Sequence, residues 1–393
     1  HDRNHGRPPR AGNGDHRRAG RTGGDTVMVR LGDVCKKASS NIAQKDLEGH
    51  SGKYPIYGAS GLIKHVDFYQ QEQPYIAVVK DGAGIGRVMK LPAKSSVIGT
   101  MQYIIPNDIV DISYLAYAME YMNLSKYFSG ATIPHIYFKD YQKETLPLPA
   151  LDEQRHIAAT LDKVTDLITK RRQQLDKLDE LVKARFVEMF GDTVINPHEL
   201  PSVCLSNFAD IVSGITKGRK TSGEELFEVP YMAVSNVKSG YIDWTTVKTI
   251  EATKSEIEQY RLQSFDVLMT EGGDPDKLGR GAIIQNPPID CIHQNHIFRV
   301  RVDSSRLLPQ YLEEYLQHPK AKKYFLSCAK QTTGIASINM TQLRNLPVLL
   351  PSLEQQKQFS AIVEQIDQHK LTIQRSLDKM ETLKKALMQQ YFD

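Results

Sequence analysis

Two stretches of the chain carry apolar residues at alternating steps of four and three positions, the spacing that lines one face of a coiled-coil helix. The first stretch runs from Ile157 to Met189 and the second from Phe359 to Tyr391. In each stretch, eight of the ten positions on this face are apolar. The polar interruptions are Arg171, Arg185, Lys370 and Lys384. This pattern predicts two long helices.

The two helical stretches are copies of one sequence unit. Residues 149–190 match residues 351–392 without gaps at an offset of 202, with eleven identities over 42 positions. The identities are Pro149/Pro351, Leu151/Leu353, Gln154/Gln356, Ala159/Ala361, Leu175/Leu377, Asp176/Asp378, Lys177/Lys379, Leu181/Leu383, Lys183/Lys385, Ala184/Ala386 and Phe190/Phe392. A Leu-Pro pair, Leu146-Pro147 or Leu346-Pro347, precedes each copy, and acidic and amide residues follow, which is a helix start signal.

Helices of this length need a partner. About 40 residues at 1.5 Å each give a rod of roughly 60 Å, whereas a domain of about 150 residues has a radius of gyration near 15 Å. We therefore expect the two helices to pair with each other. The second globular region connects the end of one helix to the start of the other, and it is too small to carry the chain back to the start of the first helix. We therefore expect an antiparallel coiled coil with one globular domain at either end.

The regions before the two helices also resemble each other, although more loosely. Each opens with a strand-like run, Val29 to Cys35 or Val203 to Ile211, and each later carries a Gly-Arg pair before an apolar stretch. These pairs are Ile85-Gly86-Arg87 and Leu278-Gly279-Arg280. Short strands mixed with a few helices predict an α+β fold made of two similar globular domains, each followed by a long helix.

Charge says little about partners. The net charge is +4, but residues 1–27 contribute +3, from six arginines and three aspartates, which leaves +1 for the rest of the chain. This segment lacks apolar periodicity, so we interpret it as a disordered or non-native tail. The four cysteines are scattered singly, which argues against structural zinc, and no apolar run is long enough to span a membrane. A cytoplasmic location fits best.

The repeated helices and the motifs that enter them resemble one known family. The segments are Leu146-Pro147-Leu148-Pro149-Ala150-Leu151-Asp152-Glu153-Gln154 and Leu346-Pro347-Val348-Leu349-Leu350-Pro351-Ser352-Leu353-Glu354-Gln355-Gln356. With their alternating globular regions, they resemble the specificity subunits of type I restriction-modification systems. Tyr54-Pro55-Ile56-Tyr57-Gly58-Ala59-Ser60-Gly61 and Lys80-Asp81-Gly82 resemble one type of target-recognition domain in that family. Gly214-Ile215-Thr216-Lys217 and Val234-Ser235-Asn236-Val237 resemble another.

The resemblance implies a specific domain organisation. The predicted parts are a tail at 1–27, target-recognition domains at 28–148 and 193–348, and spacer helices at 149–192 and 349–393.

The resemblance also implies a function. Each target-recognition domain would read one half of a split double-stranded DNA sequence, with the helices fixing the spacer. The partners would be two adenine methyltransferase subunits, which use S-adenosylmethionine, and motor-nuclease subunits, which use ATP and magnesium. The chain itself would hold no cofactor and would not be an enzyme. Two alternatives stay open: a fragment of a fused restriction-modification enzyme, and a coiled-coil scaffold without a DNA role.

Candidate DNA-binding residues follow from the chemistry of base edges, because Arg and Lys suit guanine while Asn and Gln suit adenine. In the first domain they are Tyr57, Ser60, Lys80, Arg87, Gln102 and His135. In the second domain they are Lys217, Arg219, Lys220, Asn236, Arg280, Asn295, His296 and Thr333.

Four other segments suggest chemistry that the sequence does not support. Asn286-Pro287-Pro288-Ile289 lacks the aromatic fourth residue of adenine methyltransferases, so we predict a proline turn between strands. Gly82-Ala83-Gly84-Ile85-Gly86 has the wrong spacing for a nucleotide loop, and we predict a tight turn. Asp274-Pro275-Asp276-Lys277 lacks the further acidic and lysine residues of a nuclease site. For His293 and His296, a polar DNA contact or plain surface is favoured over metal binding, because a third ligand is missing.

Overall fold

The computed structural model describes residues 27–130, 134–220, 223–274, 278–332 and 334–393. The chain forms two compact units, one ending at Lys170 and including Leu377–Asp393, the other comprising Arg171–Ser376. The predicted tail lies outside the described residues except for Val27, which is the first residue of a strand.

The first unit contains nine strands and several helices among its described residues. The strands are β1 (Val27–Arg30), β2 (Cys35–Ser39), β3 (Tyr54–Gly58), β4 (Gly61–Val66), β5 (Tyr75–Val79), β6 (Val88–Leu91), β7 (Ser96–Val97), β8 (Met101–Pro106) and β9 (Thr145–Leu148). The helices are α1 (Leu31–Val34), α2 (Ile112–Tyr121), α3 (Phe138–Tyr141) and the first half of α4 (Leu151–Phe190), with 3₁₀ turns at Gln44–Leu47 and Leu124–Tyr127.

The second unit has a similar series of elements with additional strands and helices. Its strands are β10 (Ser202–Cys204), β11 (Ala209–Ser213), β12 (Phe227–Met232), β13 (Lys248–Ala252), β14 (Val267–Thr270), β15 (Gly272–Gly273), β16 (Gly281–Ile283), β17 (Ile292–His293), β18 (Ile297–Val302), β19 (Lys330–Thr332), β20 (Ile335–Ser337) and β21 (Pro347–Leu349). Its helices are α5 (Lys254–Tyr260), α6 (Pro309–Gln317), α7 (Pro319–Cys328), α8 (Met340–Arg344) and the first part of α9 (Leu353–Phe392), with 3₁₀ turns at Leu205–Asn207 and Val234–Asn236.

The two domains share the topology of three sheets, which confirms the looser resemblance seen in the sequence, and the second domain has one more, of order β15-β20-β19. A four-stranded sheet has the order β2-β8-β5-β6 in the first domain and β11-β18-β14-β16 in the second. A three-stranded sheet follows the same rule in both, with β3 antiparallel to β4 and parallel to β7, and β12 antiparallel to β13 and parallel to β17. A two-stranded ladder, β1-β9 or β10-β21, closes each domain directly before its long helix.

Each unit contains the start of one long helix and the end of the other. In the first unit, Ile157 and Leu161 of α4 belong to the same buried core as Met388 and Phe392 of α9. In the second unit, Phe186 of α4 lies edge-on to Phe359 of α9, with ring centroids 5.5 Å apart. The start of each helix therefore meets the end of the other, so the pairing is antiparallel. The predicted α+β fold with two similar domains and two paired long helices is confirmed.

The repeated Phe190/Phe392 identity has a structural reason. Phe392 packs against Tyr114 of α2 with ring centroids 5.2 Å apart, and Phe190 packs against Tyr311 of α6 at 5.0 Å. The two tyrosines occupy equivalent places, because the Tyr114 hydroxyl donates to Pro147 O and the Tyr311 hydroxyl to Leu349 O, both at 2.7 Å. Aromatic burial of this kind stabilises each unit where a helix ends.

The repeated Gln154/Gln356 identity joins each helix start to its own domain. Both side chains are fully buried. The Gln154 carboxamide accepts from Asp111 N at 2.8 Å and donates to Pro149 O and Ile109 O. The Gln356 carboxamide does the same, accepting from Leu308 N at 2.8 Å and donating to Pro351 O and Arg306 O. One buried carboxamide in each copy thus satisfies backbone groups at the helix start and in the segment before α2 or α6.

Two predicted turns are confirmed. Residues 284–291, which include Asn286-Pro287-Pro288-Ile289, form the connection between β16 and β17, with Ile289 exposed. In the Gly82–Gly86 segment, Ile85 N donates to Gly82 O and Gly86 N to Val79 O, and strand β6 follows. Residues 275–277 of the third segment lie outside the described residues.

Candidate nucleic-acid interface

In the first domain, several candidate residues converge where β5 ends. Lys80 N donates to Thr100 O at 3.0 Å, and Gly82 N donates to Pro134 O at 3.0 Å, directly before His135. Val79 N donates to Arg87 O, also at 3.0 Å. These backbone bonds hold Lys80, Arg87 and His135 together at the end of the four-stranded sheet where β5 finishes. We call this end of the sheet the edge of the domain.

Asp81 holds two of the candidate side chains at this edge. Its carboxylate accepts from Lys80 Nζ at 2.8 Å and from His135 Nδ1 at 2.7 Å. Burial raises the pKa of Asp81, but the hydrogen bonds from Lys80 and His135 outweigh that effect and leave the pKa below its usual value. Asp81 was not among the predicted site residues, although the Lys80-Asp81-Gly82 motif had marked it.

The β3–β4 turn lies beside the same edge. Arg87 donates from Nη1 to Ala59 O at 2.7 Å, which fixes the guanidinium against this turn. Ser60 at the turn is exposed, and Tyr57 is half-buried against the core that contains Tyr75 and Tyr103. Five of the six candidates in the first domain therefore lie on or near one surface.

Gln102 is the exception, and its assignment is corrected. Its side chain lies in β8, is 5% exposed, and accepts a hydrogen bond from the Tyr141 hydroxyl at 2.9 Å. An amide held inside the core by a buried tyrosine cannot reach a base edge. Tyr137 on the adjoining surface is 50% exposed and stacks on His135 with ring centroids 6.5 Å apart. Tyr137 was not among the residues predicted from the sequence.

The second domain builds its corresponding edge from different residues. Glu271, directly after β14, donates from its N–H to His296 O at 3.0 Å, as Lys80 does to Thr100 O. The Glu271 carboxylate binds His296 Nδ1 at 2.6 Å. The backbone geometry at this strand end is therefore the same in the two domains, but the polar side chains that lie there differ. Glu271 was missed because no motif marks it.

The Lys217 loop joins this edge through its backbone. Ile215 N donates to His293 O at 2.8 Å, and Asn295 N donates back to Ile215 O at 3.0 Å. Lys217 and Lys220 are exposed in the loop that follows. The structure therefore brings Lys217, Asn295 and His296 to neighbouring positions at one edge of the second domain.

Two candidates in the second domain have internal roles instead. Asn236 is 3% exposed, and its amide donates to Asp243 O at 2.8 Å and Thr246 O at 3.0 Å, so its assignment as a DNA contact is corrected. Arg219 is held by a two-point ion pair with Glu256 and donates to Glu251 O at 3.1 Å. Its guanidinium therefore makes its hydrogen bonds within the domain. Thr333 lies outside the described residues.

Metal chemistry finds no support in the part of the chain that the structure describes. No cluster of three or more His, Cys, Asp or Glu side chains there is arranged to hold a metal ion, and all four cysteines are free thiols. His293 is fully buried, with Nδ1 donating to Ile297 O at 3.0 Å, so it is neither a surface residue nor a DNA contact. None of the described helices combines the length and apolarity that a membrane crossing requires.

Buried His293 makes stability depend on pH. Burial lowers its pKa from the ordinary 6.5 to about 4. Between these two values the unfolded chain binds a proton that the folded chain does not, so stability falls as the pH falls. From pH 7 to pH 5, the loss attributable to this histidine should be about 2 kcal/mol. Urea denaturation of wild type and His293→Gln at both pH values measures the loss, and equal pH dependence in the two proteins would contradict the assignment.

Comparison with known proteins agrees with this architecture. The family model "Type I restriction modification DNA specificity domain" matches residues 24–179 and 198–382. The type I restriction enzyme EcoKI specificity subunit of Escherichia coli is 23% identical over 346 residues, which cover 82% of this chain and 74% of that protein. The MjaVIII specificity subunit of Methanocaldococcus jannaschii is 27% identical over 397 residues, covering 93% and 91%. The crystal structure of the type I S subunit from M. genitalium has the same fold, with a TM-score of 0.60 at 15% identity, covering 95% and 98%.

The chain therefore belongs to the family of DNA specificity subunits of type I restriction-modification systems. Specificity subunits are the non-catalytic components of these complexes, so the prediction that the chain is not an enzyme and carries no catalytic cofactor is confirmed. Family membership also sets aside both alternatives, the fused-enzyme fragment and the scaffold without a DNA role.

Proposed function

We propose that each domain of this chain reads one half of a bipartite double-stranded DNA target. One observation carries the proposal: both domains use the same strand-end geometry, yet they present different side chains there. The first domain offers Lys80, Asp81 and His135, while the second offers Glu271, Asn295 and His296. One scaffold with two sets of polar groups suits a target whose halves differ in sequence.

The proposed contacts follow from the chemistry of the candidate side chains. Lysine and arginine suit guanine, asparagine suits adenine, and hydroxyl groups accept or donate at several bases. Each good bidentate contact contributes roughly 1–3 kcal/mol of discrimination. The proposed DNA-binding residues are Tyr57, Ser60, Lys80, Arg87, His135, Lys217, Lys220, Arg280, Asn295, His296 and Thr333.

The proposed partners are those of a type I complex. Two adenine methyltransferase subunits would dock on the long helices, and motor-nuclease subunits would join the assembly. S-adenosylmethionine, ATP and magnesium would belong to those partners. The helices would fix the number of unread base pairs between the half-sites, and the complex would act in the cytoplasm.

Domain exchange tests the proposal. Replacing residues 29–145 with the matching segment of a related specificity subunit should change one half of the methylated motif and leave the other half and the spacer length unchanged. The measurement is methylome sequencing of a host that carries the exchanged chain.

The matched control replaces residues 203–345 instead and should change only the other half. An unchanged motif after either exchange, or a change in both halves after a single exchange, would contradict the division of labour between the domains.

A further inference from the structure

A small cationic pocket lies beside the candidate interface of the second domain. Its volume is about 260 Å³. The polar residues that line it come from the loop after the Val234–Asn236 turn, from the Gly-Arg segment before β16, and from α6 and α7. They are Lys238, Ser239, Tyr241, Arg280, Gln317 and Lys322.

The charged side chains that line this pocket have one sign, whereas Glu313 and Glu314 line the adjoining pocket, which shares Ser239, Tyr241 and Gln317 with it. Three lining side chains are cationic, and none of the described residues that line it is acidic. Lys238 pairs with Asp243, whose Oδ2 is 4.0 Å from Lys238 Nζ, at the limit of an ion pair. Cations gathered at a concave surface raise the local concentration of anions.

Two side chains that line the pocket each carry a buried hydrogen-bond donor without a partner. Arg280 Nε and Gln317 Nε2 are both buried without a hydrogen bond. The Ser239 hydroxyl donates to Gln317 Oε1 at 2.7 Å, which leaves the amide nitrogen of Gln317 as the unused end. Buried donors without acceptors are uncommon in folded proteins and cost stability, so the site is suited to a ligand that supplies acceptor oxygens.

The backbone fixes Arg280 at this position. Gly279 before it has a φ of +71°, and a Cβ at Gly279 would come within 2.3 Å of the Phe325 ring. Arg280 O accepts from Thr270 N at 3.1 Å, and the next residue, Glu271, binds His296. The pocket therefore adjoins the proposed base-reading edge through a single strand end.

We propose that this pocket binds a backbone phosphate of the DNA target. Arg280 and Gln317 donate to the phosphate oxygens, and Lys238 and Lys322 contribute charge, since arginine with a second donor recognises phosphate well. The inference rests on the proposed function and makes Arg280 a positioning contact rather than a base-reading one. In the first domain the equivalent Arg87 donates to Ala59 O instead, so the anchor belongs to the second half-site alone.

Salt dependence of DNA binding tests the proposal on the complex with its methyltransferase subunits. With Arg280→Gln, affinity should fall about tenfold for the target and for single-base variants alike. The slope of log Kobs against log salt concentration should become less steep by about 1. Lys322→Gln should shift both quantities in the same direction by less. Lys323→Gln is the matched control, because the next residue on α7 points about 100° away.

Duplexes in which one phosphate is replaced by a neutral analogue identify the phosphate that the pocket contacts. In duplexes with one methylphosphonate each, wild type should lose affinity at one position of the second half-site, and Arg280→Gln should lose nothing further there. Gln317→Leu provides an independent variant if the thermal midpoint of Arg280→Gln is lowered. Loss of discrimination at one base pair with an unchanged salt slope would overturn the phosphate assignment alone. Absence of any sequence preference in wild type would overturn the proposed function as well.

Discussion

Replacing Gly279 with alanine is expected to lower the free energy of unfolding of the second unit by about 2–5 kcal/mol. A left-handed backbone costs a residue with a Cβ roughly 1–2 kcal/mol, and the φ of Gly279 is +71°. The new Cβ would also come within 2.3 Å of Cδ2 of Phe325, whose side chain is fully buried. Overpacking of this kind adds about 1–3 kcal/mol.

Gly218→Ala is the matched control for the steric part. Its φ of +75° is nearly the same, but nothing lies within 4 Å of a Cβ built there. Chemical denaturation of both variants should therefore give a loss of about 1–2 kcal/mol for Gly218→Ala and a clearly larger one for Gly279→Ala. Equal losses would mean that Phe325 can move aside.

The same restriction explains the Gly-Arg pair that recurs in the first domain. Gly86 has a φ of +80°, and a Cβ there would lie 2.5 Å from Ser125 N, a backbone atom. The sequence showed that Ile85-Gly86-Arg87 and Leu278-Gly279-Arg280 correspond. It did not show the reason, because the residues that exclude a Cβ lie about 40 positions further along the chain.

Sequence periodicity predicted the long helices well but misplaced their buried face near the ends. The predicted face included Leu387 and Tyr391, which are half-buried, whereas Met388 and Phe392 are buried. Away from the ends a helix has one partner, so a regular spacing describes it. Near its end α9 packs into the core of the first domain, and the buried face turns by one residue toward Tyr114.

The candidate site was predictable where a motif marked a turn and unpredictable where a polar residue could face either way. Lys80, Arg87 and His135 come together because backbone bonds join the turns that carry them. Gln102 and Asn236 have the right chemistry for adenine, yet both bond inside the protein. The sequence does not distinguish an amide side chain that is buried from one that faces a base, and the fold is needed to tell them apart.

The repeated buried glutamine leads to the second large effect. Gln356→Met keeps the length of the side chain but removes its donor and its acceptor. Leu308 N would lose its partner, and the carbonyls of Pro351 and Arg306 would lose theirs, all beside a fully buried side chain. Three groups at about 1–3 kcal/mol each set a range of about 3–9 kcal/mol. Because the bonds to Leu308 N and Arg306 O are only partly buried, we expect the lower part of that range, about 3–6 kcal/mol in the free energy of unfolding.

Gln358→Met is the matched control, because Gln358 lies two residues further along α9 and is exposed. That variant should change stability by less than about 0.5 kcal/mol. Gln154→Met should reproduce the loss in the first unit, since Gln154 makes the same three kinds of bond. Chemical denaturation of all three variants measures these changes in the free energy of unfolding. If Gln356→Met were as stable as Gln358→Met, the carboxamide would not be what fixes the helix start to the domain, and the Gln154/Gln356 identity would need another cause.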